Sequence, residues 1–263
     1  MSTGTDASLH RLLVVVAHPD DETFGCGSLL AHAADRGAVT RVVCATRGEQ
    51  GESADGRLTG DELAEAREAE LREAAALLCV AAVDVLSWRD SGMDGEPAPG
   101  TLCAAPLDVV AEEIAGVVDD FEPSVVVTLD ASDGHRDHAH VRDAMLLATD
   151  RAGWSVPRVY LHGLPQRLMR KWVDRVRAEQ PESPYLALGD LGTPDADITT
   201  VIDTAAFLAL RERAIAVHAT QTSPYEVMPA DVRREFLSRD YLRRVRPAWT
   251  GGARETDIFG GAH

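Results

Sequence analysis

The sequence predicts an α/β protein: a Rossmann-like, mostly parallel sheet with helices on both faces. Three observations predict it. Short apolar runs alternate with longer amphipathic stretches through the first 163 residues, the pattern of right-handed β-helix-β crossovers. The apolar runs are nearly unbroken, as in strands covered on both faces. A chain of 263 residues that is 45% hydrophobic can bury one sizeable core.

The elements follow in order. "LLVVVA" (12–17) reads as a fully buried strand, and residues 22–36 as one helix. "TRVVCAT" (40–46) is a second strand. "DELAEAREAELREAAALL" (61–78) is rich in strong helix formers, with apolar spacing of three and four. "VDVLSW" (83–88), "SVVVTL" (124–129) and "RVYLHG" (158–163) are the third, fourth and fifth strands, separated by helices over 106–119 and 137–152. Beyond them the pattern predicts a strand at 196–203, a helix at 204–219 and a short edge strand at 240–246. One domain spans 1–263, with its core at 11–221 and an irregular extension at 222–263.

Composition narrows the function. A net charge of −17 disfavours nucleic acid and anionic lipid surfaces. No run of about 18 apolar residues is present to span a membrane, and "MSTGTDASLHR" lacks the basic-then-apolar pattern of a secretory signal. Cys26, Cys44, Cys79 and Cys103 are widely spaced with no CxxC pair, which reads as reduced thiols in a cytoplasmic protein. The sequence sets no oligomeric state.

Chemistry concentrates after the strands, where ligands bind in open α/β sheets. "AHPDDE" (17–22) places His18, Asp20, Asp21 and Glu22 behind strand one. "DASDGHRDHAH" (130–140) supplies His135, Asp137 and His138 behind strand four, and His135 and His138 share one helix face. His18, Asp21 and His138 would make a three-ligand site of the kind that keeps a position open for water. Zinc suits such a set, and ferrous iron also fits two histidines and a carboxylate. Asp20, between two ligands, is free to take a proton from an acidified water. His135 flanks the site and could donate to an oxyanion or leaving group, with Asp137 fixing its tautomer.

Ordinary readings stand beside these. His10, His32, His140, His162 and His263 read as loop or core histidines, and His218 as a cation at a helix end. Glu49 is either a carboxylate near substrate or one charge of a solvated loop. Arg67 could pair along its helix, and Asp90 could cap a turn. The Gly-rich loop 47–60 reads as a mobile cover, or else as an ordered loop clamped by Arg57.

"AHPDDE" with "HRDH" (135–138) resembles the PIG-L/LmbE-like family of metal-dependent N-deacetylases. "TRGEQGE" (46–52) and "REAEL" (67–71) resemble further family segments, and "WRDSGM" (88–93) and "HATQ" (218–221) resemble its mycothiol-pathway branch. The resemblance covers residues 12 to about 221. It implies a zinc-dependent hydrolase that removes an acyl group, foremost acetyl, from an N-acetylglucosaminyl or related small-molecule conjugate. Carried over by position, it makes His18, Asp21 and His138 the metal ligands, Asp20 the general base and His135 the electrostatic stabiliser. Arg67 and Asp90 would bind sugar hydroxyls. Asp133 stands where the mycothiol deacetylase has a tyrosine. Rival readings are a catalytically silent binder of small molecules on the same fold, and an amidase for a thiol conjugate or natural-product intermediate.

Overall fold

A computed structural model describes residues 10–179, 181–182, 191–226 and 228–260. Residues 1–9 of the stretch read for a leader, and His263, lie outside them. Five strands form the parallel part of the sheet: β1 (Arg11–Val16), β2 (Val39–Cys44), β3 (Ala82–Val85), β4 (Val125–Leu129) and β5 (Arg158–His162). With β6 (Thr200–Asp203) and β7 (Arg239–Arg246), the sheet runs in the order β3-β2-β1-β4-β5-β7-β6. The α/β class and the mostly parallel sheet are as the sequence predicts.

The order reverses between β1 and β4. The connection after β1 leads to one side of the sheet and the connection after β3 leads back to the other. A crevice opens where neighbouring strands diverge in this way. Alternation along β1 builds two cores. Leu12, Val14 and Val16 pack with Leu29 and Leu30 of α2 (Gly27–Asp35), Leu71 of α3 (Gly60–Leu77) and Ala214 of α7 (Leu208–Val217). Leu13 and Val15 pack with Val110 and Ile114 of α4 (Leu107–Phe121) and Met145 of α5 (Arg136–Arg151). A strand sandwiched between two helical layers has no polar face, which is why β1 is a continuous apolar run.

Two expectations are corrected, and two helices are added. The helix expected at 22–36 is two: α1 (Asp21–Phe24) and α2, broken at Gly25–Cys26. A Cβ at Gly25 would lie 2.7 Å from Leu129 and 2.8 Å from the Asp21 carbonyl. The Arg211 guanidinium, 2% exposed, donates to the carbonyls of Thr23, Phe24 and Gly25, which the interrupted helix leaves unpaired. The strand at 240–246 is not an edge. β7 is antiparallel to both β5 and β6 and lies between them. Its charged sequence, RDYLRRVR, disguises that position: Asp240, Tyr241 and Leu242 are buried, while Arg243–Arg246 are half-buried, and Arg244 pairs with Glu255 and Arg246 with Asp150. The sequence reading also passed over α6 (Gln166–Glu179) and α8 (Ala230–Leu237). Leu168, Trp172 and Val176, spaced by four, form the buried side of α6 and meet Phe236 and Leu237 of α8 in a third core. That spacing was the available signal.

Cys26 and Cys44 are buried, Cys79 is exposed and Cys103 is half-buried; all four are free thiols. Among the described residues no helix is long and apolar enough to cross a membrane.

Candidate active site

The turn after β1 carries the densest chemistry. Asp20 has φ 118°, a left-handed value that is costly for a side chain with a Cβ. Its surroundings hold it there. Its N–H donates to Glu22 Oε2 at 3.0 Å, and its carbonyl accepts the N–H groups of Thr23 and Phe24, opening α1. Its carboxylate makes no cap and instead faces Arg67 Nη2 at 3.2 Å. Burial drives the Asp20 carboxyl up to about 6, against the lowering charge of Arg67.

Asp21 is the hub. Its Oδ2 accepts the His18 N–H at 2.8 Å and lies 3.5 Å from His18 Nδ1; its Oδ1 lies 3.3 Å from His138 Nε2. The other ring nitrogen of each histidine meets a second carboxylate. His18 Nε2 lies 3.2 Å from Asp137 Oδ2, and His138 Nδ1 lies 2.6 Å from Asp133 Oδ2. The ring nitrogens of His18, His135 and His138 can also be chosen to lie within 4.8 Å of one another. The three residues expected to hold a metal are thus brought together.

The donor set fits a divalent cation on two counts. Asp21 meets each ring through a different oxygen, Oδ2 at 3.5 Å from His18 and Oδ1 at 3.3 Å from His138, so two imidazoles and one carboxylate, donor types that suit such an ion, stand together. Burial would keep both histidines neutral, but the carboxylates override it: His18 is raised well above its usual value and His138 to about 10. Burial would raise Asp21, yet the charge of His138 holds it well below the usual carboxylate range. A pocket that stabilises two protons on two histidines presents the field in which a dication replaces them.

Asp137 corrects the sequence reading. Its side chain is fully buried, but it orients His18 rather than His135. It also accepts from Ser91 N–H at 3.0 Å and from Cys103 Sγ at 3.0 Å. Only the Asp137 backbone N–H reaches His135, at Nδ1, 3.2 Å away. An accepting Nδ1 puts the proton of the neutral ring on Nε2. His135 is held neutral, down to about 4, by burial and then by the neighbouring positive histidines. A neutral ring with Nε2–H is a hydrogen-bond donor beside the cluster, not a lone-pair ligand in it. Asp133, passed over from sequence except as a departure from the family, orients His138 through Nδ1. Replacing Asp133 by Asn is expected to weaken divalent-metal affinity by about 10–100-fold. Competition with a chromophoric chelator measures this, and wild-type affinity in the variant would remove Asp133 from the site.

The residues expected near substrate divide. Asp90 is buried, with Oδ1 accepting the Gly92 N–H at 2.8 Å and lying 3.7 Å from His18 Nε2. It both shapes its turn and borders the cluster. Glu49 is buried, with Oε1 3.2 Å from Arg89 Nε; it is not a solvated loop charge. Arg67 neither faces solvent nor pairs along its helix. It donates to the carbonyls of Gly48 (2.9 Å) and Pro19 (2.7 Å), tying the β1 turn to the loop after β2.

That tie also holds the start of the 47–60 loop. Ala54 N–H donates to the Thr220 carbonyl at 2.7 Å, and Thr46 Oγ1 accepts the Gly48 N–H at 3.2 Å. The first half of the loop is anchored, and the clamp is Arg67 rather than Arg57, whose side chain is 84% exposed. Gly48 (φ +66°) and Gly56 (φ +68°) share a left-handed backbone, but a Cβ at Gly48 would strike the Arg67 guanidinium, while Gly56 has open space. Gly48→Ala is therefore expected to cost about 1–3 kcal/mol more than Gly56→Ala. Equal denaturant midpoints for the two variants would show that Arg67 does not clamp the loop.

One buried pair had no reading as a site feature. His218 Nε2 meets Glu22 Oε1 at 3.0 Å, and both side chains are wholly buried beneath Asp20. His218 caps the carboxyl end of α7, the helix end expected of it, and it is buried there against Glu22. His10 stacks on Phe259, His32 meets Phe207 edge-on and His162 meets Asp240 at 3.2 Å, so these three take the ordinary roles expected of them.

Comparison with known proteins aligns with this geometry. The PIG-L family, described as GlcNAc-PI de-N-acetylase, matches residues 13–149. A 1D-myo-inositol 2-acetamido-2-deoxy-alpha-D-glucopyranoside deacetylase of Geodermatophilus obscurus is 32% identical, over 95% of this chain and 97% of that protein. The protein of the same name from Thermobifida fusca is 34% identical, over 95% and 98%. Among solved structures, N,N'-diacetylchitobiose deacetylase from Pyrococcus horikoshii superposes with a TM-score of 0.62 at 18% identity, over 90% of this chain and 84% of that one. A 4-carboxy-2-hydroxymuconate hydratase from Pseudomonas putida reaches 0.59 at 21% identity, over 93% and 99%. The fold therefore carries more than one chemistry.

Proposed function

The chain belongs to the PIG-L family of de-N-acetylases, and from that premise we propose that it hydrolyses the N-acyl amide, foremost N-acetyl, of an N-acetylglucosaminyl or related small-molecule conjugate. The chain is a hydrolytic N-deacetylase by family. The observation that carries the finer reading is Asp21 bridging His18 and His138 while the adjacent Asp20 stays outside the donor set.

His18, Asp21 and His138 would hold a divalent ion, zinc by preference and ferrous iron as the alternative. Such an ion supplies Lewis acidity, lowering the pKa of a water and polarising the acyl carbonyl. Asp20 takes the proton of the attacking water, its buried carboxyl pushed towards neutrality for that task. His135 donates from Nε2 to the developing oxyanion. Asp20 then returns its proton to the leaving amine, so that amine and carboxylate depart. Asp133 and Asp137 hold the two histidines in register.

The substrate proposed is neutral or singly charged. Four arginines near the rim could have clamped a polyanion, but each is engaged: Arg47 with Glu68, Arg67 with Gly48 and Pro19, Arg89 with Glu49, and Arg136 with the carbonyls of Gly92, Asp94 and Gly95. The free thiols support the cytoplasm as the compartment. The test is release of free amine from a panel of N-acyl amino sugars and thiol conjugates by zinc- or iron-loaded protein. Release from an N-acetylglucosaminide supports the reading, and release from none of the panel overturns it.

A further inference from the structure

By sequence Cys103 is one more reduced thiol. In the fold it lies in a single turn of 3₁₀ helix, Leu102–Ala104, beyond the long loop that follows β3. That loop closes on itself. The Arg89 N–H donates to the Gly100 carbonyl at 3.2 Å, and the Leu102 N–H donates to the Arg89 carbonyl at 2.8 Å. Closure brings Ser91 and Cys103 together onto the Asp137 carboxylate at the start of α5. The Ser91 N–H donates to Oδ2 at 3.0 Å, and the Cys103 thiol donates to Oδ1 at 3.0 Å. The two donors are themselves joined, since the Cys103 N–H donates to Ser91 Oγ at 2.8 Å.

This contact is unlike that of an ordinary buried thiol. Cys44 Sγ faces backbone carbonyls, of Ala17 at 3.7 Å and of Thr46 at 3.2 Å. Cys103 instead meets a carboxylate that is wholly buried, and a buried carboxylate is costly unless its oxygens are bonded. Burial, and then the bond to Asp137, pushes the Cys103 thiol up to about 11. It keeps its proton at neutral pH and is a donor, not a nucleophile.

The other oxygen of Asp137 gives the contact its consequence. Oδ2 lies 3.2 Å from His18 Nε2, and His18 Nδ1 faces Asp21 at 3.5 Å. A carboxylate that holds the proton on Nε2 leaves the Nδ1 lone pair for an ion. The terminal torsion of an aspartate is soft, so a donor on each oxygen sets which way the carboxylate turns.

We propose that Cys103 is a positioning residue, whose thiol proton holds Asp137 in the rotation that keeps His18 Nδ1 turned to the metal site. The inference rests on the reading of His18, Asp21 and His138 as ligands and adds a residue that acts on them through Asp137.

Three substitutions separate hydrogen bonding from packing. Cys103→Ala removes the donor, Cys103→Val fills the space without one, and Cys103→Ser supplies a hydroxyl donor instead. Zinc affinity is measured by competition with a chromophoric chelator. Outer partners of metal ligands set affinity by about 10–100-fold, and a thiol that shares its carboxylate with Ser91 belongs at the low end. The Ala and Val proteins are expected to bind zinc about tenfold more weakly than wild type, and the Ser protein to recover most of that loss. A second readout uses metal-free protein. The S–H stretch of Cys103, isolated as the infrared difference between wild type and Cys103→Ala, should lie below that of a free thiol and rise towards it in Asp137→Asn. Wild-type affinity in the Ala or Val protein overturns the inference, as does a Ser protein no better than Ala, or a band at the free-thiol frequency. Wild-type protein that binds no zinc overturns the metal-site reading and the inference with it, whereas variants that match a zinc-binding wild type overturn the inference alone.

Discussion

Asp20→Asn is expected to lower kcat/KM by about 10²–10⁴-fold while the protein keeps its metal. Asparagine preserves the shape and tolerates the left-handed backbone that Asp20 adopts at φ 118°. Arg67 retains the carbonyls of Gly48 and Pro19, so the turn should stay in place. What disappears is an acceptor for the proton of the attacking water. Elemental analysis and single-turnover kinetics on the same preparation read the two properties together. Near-normal turnover would exclude Asp20 as the base. Loss of the metal would make it a ligand, which its side-chain contact with Arg67 argues against.

His218→Ala is expected to destabilise the fold by about 3–5 kcal/mol, because it strands the Glu22 carboxylate in a wholly buried position. For a chain of this size that is a fall in melting temperature on the order of 10 °C. Activity should fall with it, since Glu22 Oε2 also accepts the Asp20 N–H. The pair has a pH signature as well. Burial lowers the His218 pKa, but the hydrogen bond and charge of Glu22 outweigh it, and the folded-state value lies above the usual 6.5. The stabilisation is therefore complete below about pH 6.5 and is lost as pH rises through the folded-state value. The difference in unfolding free energy between wild type and His218→Ala should narrow across that window. A difference that is small, or constant with pH, would show that the pair is not ionised in the folded protein.

Much of this protein was legible before folding was considered. β1 and β4 are nearly continuous apolar runs because both faces of these inner strands are covered, and the helices around them carry matching periodicity. His18, Asp20 and Asp21 stand in six consecutive residues, AHPDDE, at a strand end, and His135 and His138 share one turn of α5's start. Local sequence carries such information because residues this close have few relative placements. The break between α1 and α2 was not legible in the same way. Gly25 alone is tolerated in a helix, and the break is stabilised by Arg211, which arrives from 186 residues away.

The sequence by itself determined the strand–helix alternation and that His18, Asp20, Asp21, His135 and His138 would stand behind β1 and β4. The tertiary structure decided which carboxylate serves which histidine, that Arg67 clamps backbone beside Asp20, that β7 lies inside the sheet and that an apolar chamber adjoins the cluster. The physical reason is common to all four. Periodicity reports whether a side chain is buried, but not against what. Glu22 with His218 and Asp240 with His162 are matched charges or hydrogen bonds, and each is tolerated in a desolvated place only because its partner is there.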